Sequence, residues 1–160
     1  MTLLAIDPGR SYKGDATIGY SIFALEMEME RGRMSWEELH ERVTFWPTTP
    51  GQFEFRDSEG KTRMIHEVVI EDFVNNEKSR GGQRNGTSET IGSLETICYY
   101  AEVPITRQEP GALVPAKLHA PRGSWKPLKH LRHEDSAYLH GYEYLVRQGR
   151  LQSAGLEATL

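Results

Sequence analysis

The sequence has a single cysteine, Cys98, which excludes an internal disulfide and a zinc site built from cysteines. No apolar run approaches the roughly 20 residues that a membrane-spanning helix needs. The N-terminus lacks a basic segment and reaches an acid at Asp7, too early for a secretory signal peptide. We therefore expect a cytoplasmic protein that has no membrane partner.

The sequence also lacks an excess of basic residues. Its 19 Lys and Arg against 23 Asp and Glu give a formal net charge of -4, whereas nucleic-acid-binding proteins are usually basic. Bases nevertheless gather at 78–84 and at 122–132, and a local basic surface can coexist with net acidity because salt screens distant charges. The length of 160 residues predicts one domain over 1–150 and a loose tail over 151–160.

Two short apolar segments end in acids. Residues 3–6 precede Asp7 and residues 68–70 precede Glu71, a pattern typical of buried strands. A last helix, predicted from about 134 to 148, carries Asp135 in its first turn. The ends of buried strands can meet at one edge of a sheet, and a helix can close over that edge. We therefore expect these three carboxylates to bind Mg²⁺, which prefers hard oxygen ligands.

Each acid also has an ordinary structural explanation. Asp7-Pro8-Gly9 is a common turn sequence, and Glu71 is compatible with a solvated strand end. Asp135 is compatible with a first-turn acid that the helix dipole favours. The order of all three along the chain is harder to explain in this way.

The remaining pattern predicts further strands at 18–25, 43–46, 52–56 and 103–106. It predicts helices at 36–42, after a capping box that begins at Ser35, and at 87–101. Residues 110–125 are punctuated by proline and are expected to be irregular. Strands followed by strand–helix alternation indicate a mixed α/β sheet.

Residues 4–9 (LAIDPG) resemble the opening motif of RuvC-type Holliday junction resolvases, in which the Asp is a metal ligand. Residues 18–21 (IGYS), 69–73 (VIEDF), 87–101 and 133–137 (HEDSA) are similar to the family's later motifs, in the same order. The resemblance implies an RNase H-like fold, with a mixed central sheet flanked by helices. It also implies that Asp7, Glu71 and Asp135 are catalytic metal ligands.

The last motif departs from the family pattern, which spaces two ligands three residues apart and places Ala directly after the acid. Here His133 stands two residues before Asp135, Arg132 occupies the place three before, and Ser136 follows the acid. The fourth ligand is therefore open among His133, Glu134 and none. We choose His133, for which a phosphate contact or a solvated helix cap is the alternative.

Two basic segments are expected to contact DNA phosphates. One is the glycine-rich loop at 75–86, for which a solvated loop with chance charges is the alternative, and the other precedes the last motif. Phe73 resembles the aromatic residue that related resolvases insert into the junction, although a packed core phenylalanine is the alternative. The expected DNA-binding residues are Phe73, Lys78, Arg80, Arg84, Lys126, Lys129 and Arg132.

The resemblance implies a homodimeric endonuclease of a bacteriophage type. Such an enzyme cuts four-way or other branched DNA with two Mg²⁺ ions, for which Mn²⁺ can substitute, and leaves 5′-phosphate and 3′-hydroxyl ends. A bacteriophage origin would place it in the host cytoplasm. A less selective flap, fork or RNA–DNA hybrid nuclease and a non-cutting junction-binding protein stay open. An actin-like or sugar-kinase ATPase is disfavoured, because no second Asp-x-Gly-rich loop follows and the chain is short for two lobes.

Overall fold

The computed structural model describes residues 1–9, 16–44, 49–72 and 86–152. Its strands are β1 (Thr2–Asp7), β2 (Ile18–Ala24), β3 (Met27–Met34), β4 (Val43–Thr44), β5 (Phe53–Arg56), β6 (Thr62–Ile65), β7 (Glu67–Glu71) and β8 (Ile105–Gln108). Its helices are α1 (Trp36–Arg42), α2 (Gly86–Ala101), α3 (Leu113–His119) and α4 (His133–Arg147), and a 3-10 turn (Pro110–Ala112) precedes α3.

The central sheet has five strands in the order β3-β2-β1-β7-β8. β1 pairs antiparallel with β2 and β2 with β3, whereas β1 pairs parallel with β7 and β7 with β8. A smaller antiparallel sheet has the order β4-β5-β6. The predicted fold class, a mixed central sheet flanked by helices, is confirmed.

Alternation along β1 and β7 divides the core into two layers, because successive side chains on a strand point to opposite faces. Leu4, Ile6 and Ile70 pack in the layer that contains the buried residues of α2. Leu3 and Ala5 pack instead with the buried residues of α4. By the same alternation, Asp7 and Glu71 end their strands on the side that α4 covers.

Two glycines allow α4 to approach the sheet closely. A Cβ on Gly19 of β2 would stand 2.0 Å from the carbonyl oxygen of His133, at the start of the helix. A Cβ on Gly141 would stand 2.4 Å from Cε2 of Phe23 and 2.9 Å from Cβ of Ala5. Because protein interiors are close-packed, a side chain at either position would push the helix from the strands.

Local sequence explains the elements that were predicted correctly. The hydroxyl of Ser35 accepts a hydrogen bond from the Glu38 amide at 3.1 Å, so the predicted cap begins α1. The apolar segments before Asp7 and Glu71 form β1 and β7, and the last helix lies one residue earlier than expected at each end. In the described part of the chain, no helix combines the length and apolar character that a membrane span requires.

Other predictions were wrong or incomplete. β3 and β6 were not predicted, and β8 begins two residues later than expected, at Ile105. Residues 110–125, expected to be irregular, contain α3. Its Pro115 lies in the first turn, where a missing N–H costs no helical hydrogen bond. Of the strand expected at 43–46, β4 forms its first half, and 45–46 lie outside the described residues.

Candidate active site

A row of residues crosses the end of the central sheet beneath α4. Ile6 pairs with Ile70, so the next residues, Asp7 and Glu71, stand side by side on neighbouring parallel strands. Such strands are about 4.8 Å apart. Glu71 is paired in turn with Gln108 of β8. The structure therefore brings Asp7 and Glu71 together, as the sequence predicts.

Asp7 has one oxygen in the turn and the other directed to α4. Its Oδ1 accepts a hydrogen bond from the Gly9 amide at 2.9 Å, in a turn where Gly9 adopts a φ of 58°. Its Oδ2 lies 3.2 Å from Nδ1 of His133. The hydrogen bond with Asp7 raises the pKa of His133 above its ordinary value, although burial of the ring opposes that rise.

Glu71 is held by two side chains of α4. Its Oε2 accepts a hydrogen bond from the Ser136 hydroxyl at 3.3 Å and lies 3.1 Å from Nε2 of His140. His133, Ser136 and His140 have the i, i+3, i+7 spacing of one helical face. Ser136 and His140 were not predicted as site residues. The same helical spacing, counted from His133, is the sequence signal that could have found them.

Asp135 lies on a different side of α4 and is fully buried, with 0% of its surface exposed. Its Oδ1 accepts from Nη1 of Arg31 at 2.9 Å, and its Oδ2 accepts from Nε of Arg132 and the Lys126 amide, each at 3.1 Å. Burial raises the pKa of Asp135, but the hydrogen bonds from Lys126, Arg31 and Arg132 outweigh it, and the pKa falls below its ordinary value.

The expected grouping of three carboxylates is therefore not formed. Within the described ranges, no three or more His, Cys, Asp or Glu side chains are arranged to hold a metal ion. Asp135 is already neutralised by two guanidinium groups, and its role as a ligand stays a prediction. Glu134, the alternative fourth ligand, pairs with Arg33 at 3.2 Å and with Arg132 at 3.7 Å.

Asp7 and Glu71 differ from Asp135 in the charge around them. Among the described residues, no Arg or Lys forms an ion pair with either carboxylate; their side-chain partners are His133, Ser136 and His140. Two neighbouring carboxylates repel each other unless a cation or a proton intervenes. This donor pair fits a divalent cation such as Mg²⁺, which binds proteins through one or two carboxylates and otherwise takes water and phosphate oxygens.

Comparison with known proteins gives a clear result for the fold. No protein-family model matches the sequence, and no curated protein matches it significantly. The structure of Thermus thermophilus RuvC in complex with a Holliday junction substrate superimposes with a TM-score of 0.54 at 14% identity, covering 95% of this chain and 98% of that chain. The chain has a RuvC-like fold. A second Thermus thermophilus RuvC structure gives a TM-score of 0.49 at 16% identity, over 95% of this chain and 99% of that one.

Three of the expected DNA-binding residues lie in the described part of the chain, namely Lys126, Lys129 and Arg132. Lys126 and Lys129 are exposed, and neither forms an ion pair with a described residue. Arg132 is half exposed and pairs with Asp135. The other expected DNA-binding residues lie outside the described residues; they are Phe73, Lys78, Arg80 and Arg84.

Proposed function

We propose that this protein is a divalent-metal-dependent endonuclease that hydrolyses phosphodiesters in Holliday junctions or other branched DNA. The observation that carries the proposal is the pair Asp7 and Glu71, set side by side with no Arg or Lys partner among the described residues. The similarity of the fold to a RuvC structure in complex with a Holliday junction substrate supports the choice of DNA.

Asp7 and Glu71 would hold the cation, and Mg²⁺ would supply activation of the attacking water and stabilisation of the leaving oxygen. Nδ1 of His133 contacts Asp7, which leaves Nε2 of His133 for a water or a phosphate of the substrate. A centre with two ions needs further ligands, and Asp135 joins it only if Arg31 and Arg132 release its carboxylate.

A synthetic four-way junction, incubated with and without Mg²⁺ and resolved on a gel, tests the proposal. The protein should cut it only with Mg²⁺, and Asp7→Asn and Glu71→Gln should lose cleavage while they retain junction binding. Asp72→Asn is the matched control, because this neighbouring acid is partly exposed and pairs with Arg107 at 3.4 Å. Normal cleavage by Asp7→Asn and Glu71→Gln would refute the assignment of the site.

The same assay separates the alternative substrates. Flaps, forks, RNA–DNA hybrids and plain duplexes should be cut more slowly than the four-way junction if the proposal is right. Products should be substrates for DNA ligase, because hydrolysis is expected to leave 5′-phosphate and 3′-hydroxyl ends. Tight junction binding without cleavage, under any divalent metal, would favour a non-cutting binding protein.

Paired cuts at a four-way junction need two active sites, so we also propose a homodimer. Light scattering of the free protein and of its junction complex measures this directly. Lys78, Arg80 and Arg84, from the basic segment of the sequence at 78–84, are proposed as phosphate contacts. Replacing all three by alanine should weaken junction binding and flatten its salt dependence, by a slope of up to about 1 for each lost contact.

A further inference from the structure

Three polar side chains form a hydrogen-bonded chain behind the candidate site. Gln108 at the end of β8 contacts His140 of α4, and His140 contacts Glu71 at the end of β7. His140 is fully buried and Gln108 is 4% exposed. Buried polar groups are usually hydrogen-bonded, and each ring nitrogen of His140 has one partner here: Nδ1 contacts Gln108 and Nε2 contacts Glu71.

The contacts fix the direction of this chain. Nε2 of Gln108 lies 3.0 Å from the backbone carbonyl oxygen of His140 and 2.9 Å from Nδ1 of its ring. A carbonyl oxygen only accepts hydrogen bonds, so the Gln108 atom facing it is the donating amide nitrogen. Nδ1 therefore accepts from Gln108. A neutral imidazole that accepts at Nδ1 carries its proton on Nε2, which donates to Oε2 of Glu71 at 3.1 Å.

We propose that His140 and Gln108 are positioning residues that orient the Glu71 carboxylate toward a divalent cation, an inference that rests on the proposed function. Gln108 selects the ring tautomer, and the Nε2–H of His140 then holds Oε2 of Glu71. The Ser136 hydroxyl donates to the same oxygen at 3.3 Å. No described residue donates a hydrogen bond to Oε1 of Glu71, which leaves that oxygen for the cation.

A second histidine–glutamate pair, between His119 of α3 and Glu143 of α4, shows why these partners matter. Nδ1 of His119 lies 2.6 Å from the buried Glu143, but Arg147 also pairs with Glu143, at 3.1 Å, and compensates its charge. Glu71 has no guanidinium partner among the described residues. Neutral donors orient its carboxylate without cancelling the negative charge that binds a cation. Partners of this kind, one step behind a metal ligand, fix its orientation and raise metal affinity.

The tautomer can be measured on the metal-free wild-type protein, without DNA. Long-range proton–nitrogen correlation spectra at mildly alkaline pH should show the His140 ring with a protonated Nε2 and an unprotonated Nδ1. Gln108→Leu removes the donor that selects this form and should allow the other tautomer. A proton on Nδ1 of His140 in the wild-type protein would overturn the proposal.

Calorimetric titration with Mn²⁺ measures the effect on the site. His140→Leu and Gln108→Leu should bind Mn²⁺ about 10- to 100-fold more weakly than wild type. His140→Gln restores a donor toward Glu71 and should lie between, whereas the control His119→Gln should bind as wild type. Circular dichroism melts identify variants that fold. Wild-type affinity in folded His140→Leu would overturn the proposal.

The two proposals fail in different ways. A wild-type protein that binds Mn²⁺ with the expected tautomer, but leaves branched DNA uncut, would refute the nuclease function and keep the positioning role. Normal junction cleavage together with wild-type Mn²⁺ affinity in His140→Leu and Gln108→Leu would refute the positioning role and keep the function. Absence of Mn²⁺ binding by the wild-type protein would overturn both.

Discussion

Replacing Asp135 by asparagine separates a structural carboxylate from a metal ligand. The change removes one negative charge from a fully buried position that faces two guanidinium groups. Arg31 is the more buried partner, with 22% of its side chain exposed, and Arg132 is 45% exposed. The variant should therefore be less stable than wild type, whatever it does to catalysis.

The structure sets the size of the loss. Breaking a buried ion pair costs about 3–5 kcal/mol, because the remaining charge is left uncompensated. Arg31 retains Glu28 at 2.8 Å and Arg132 retains Glu134 at 3.7 Å, so neither becomes an isolated charge. We therefore expect a smaller loss of about 2–3 kcal/mol in the free energy of unfolding. For a chain of this size that lowers the midpoint temperature by about 4–12 °C.

Urea and thermal unfolding measure this loss, and junction cleavage well below the midpoint temperature measures the function. Asp7→Asn is the comparison. The Asp7 carboxylate has no guanidinium partner among the described residues, so the stability of this variant should differ little from that of wild type. An Arg31→Leu and Asp135→Asn double-mutant cycle should show a favourable coupling energy. Wild-type stability of Asp135→Asn together with abolished cleavage would refute this reasoning and establish Asp135 as a ligand.

Further predictions concern a thiol, a carboxylate and two lysines. Burial raises the pKa of Cys98 to about 12, so a disulfide reagent should label it only after unfolding; rapid labelling of the native protein would contradict its burial. Burial raises the pKa of Asp57, but hydrogen bonds from Lys61, Arg63 and Glu59 lower it by more, so the pKa lies below its ordinary value. The ionised carboxylate should therefore stabilise the fold above the unfolded pKa of about 3.9, and this stabilisation should vanish as pH falls through the folded pKa. In urea unfolding, the stability difference between wild type and Asp57→Asn should shrink in acid. A difference that stays constant with pH would exclude ionised Asp57 as its source. Replacing Lys126 and Lys129 by alanine should reduce the salt slope of junction binding by up to about 2 without changing the melting temperature, and an unchanged slope would remove both from the DNA surface.

The strands that carry the site could be predicted because they are buried on both faces. Such strands form continuous apolar segments, and these led directly to β1 and β7. β3 gives no such signal, since it lies at the edge of the sheet and begins by alternating methionine with glutamate. Of its residues, Met34 at the end is buried and the others are exposed or partly exposed. Its pairing with β2 depends on contacts distant in sequence, which a local pattern does not contain.

The site was predicted in part for a similar reason. Asp7 and Glu71 follow buried strands, and strand register alone brings them together. The rotation of α4 decides which of its residues face them, and that rotation is set by packing against the sheet. Asp135 stands where the sequence motif has a metal ligand. Its carboxylate points instead to Arg31, which lies on β3, a strand that was not predicted.

Gly19 and Gly141 make the site vulnerable to substitutions that change none of its chemical groups. A methyl group at Gly19 would meet the backbone of His133 and Glu134, which cannot rotate away as a side-chain end can. The helix would have to move as a rigid body, and its contacts with Asp7 and Glu71 would change together. Searches for relatives of this protein should therefore weigh these two positions, which carry no functional atoms, alongside the residues that do.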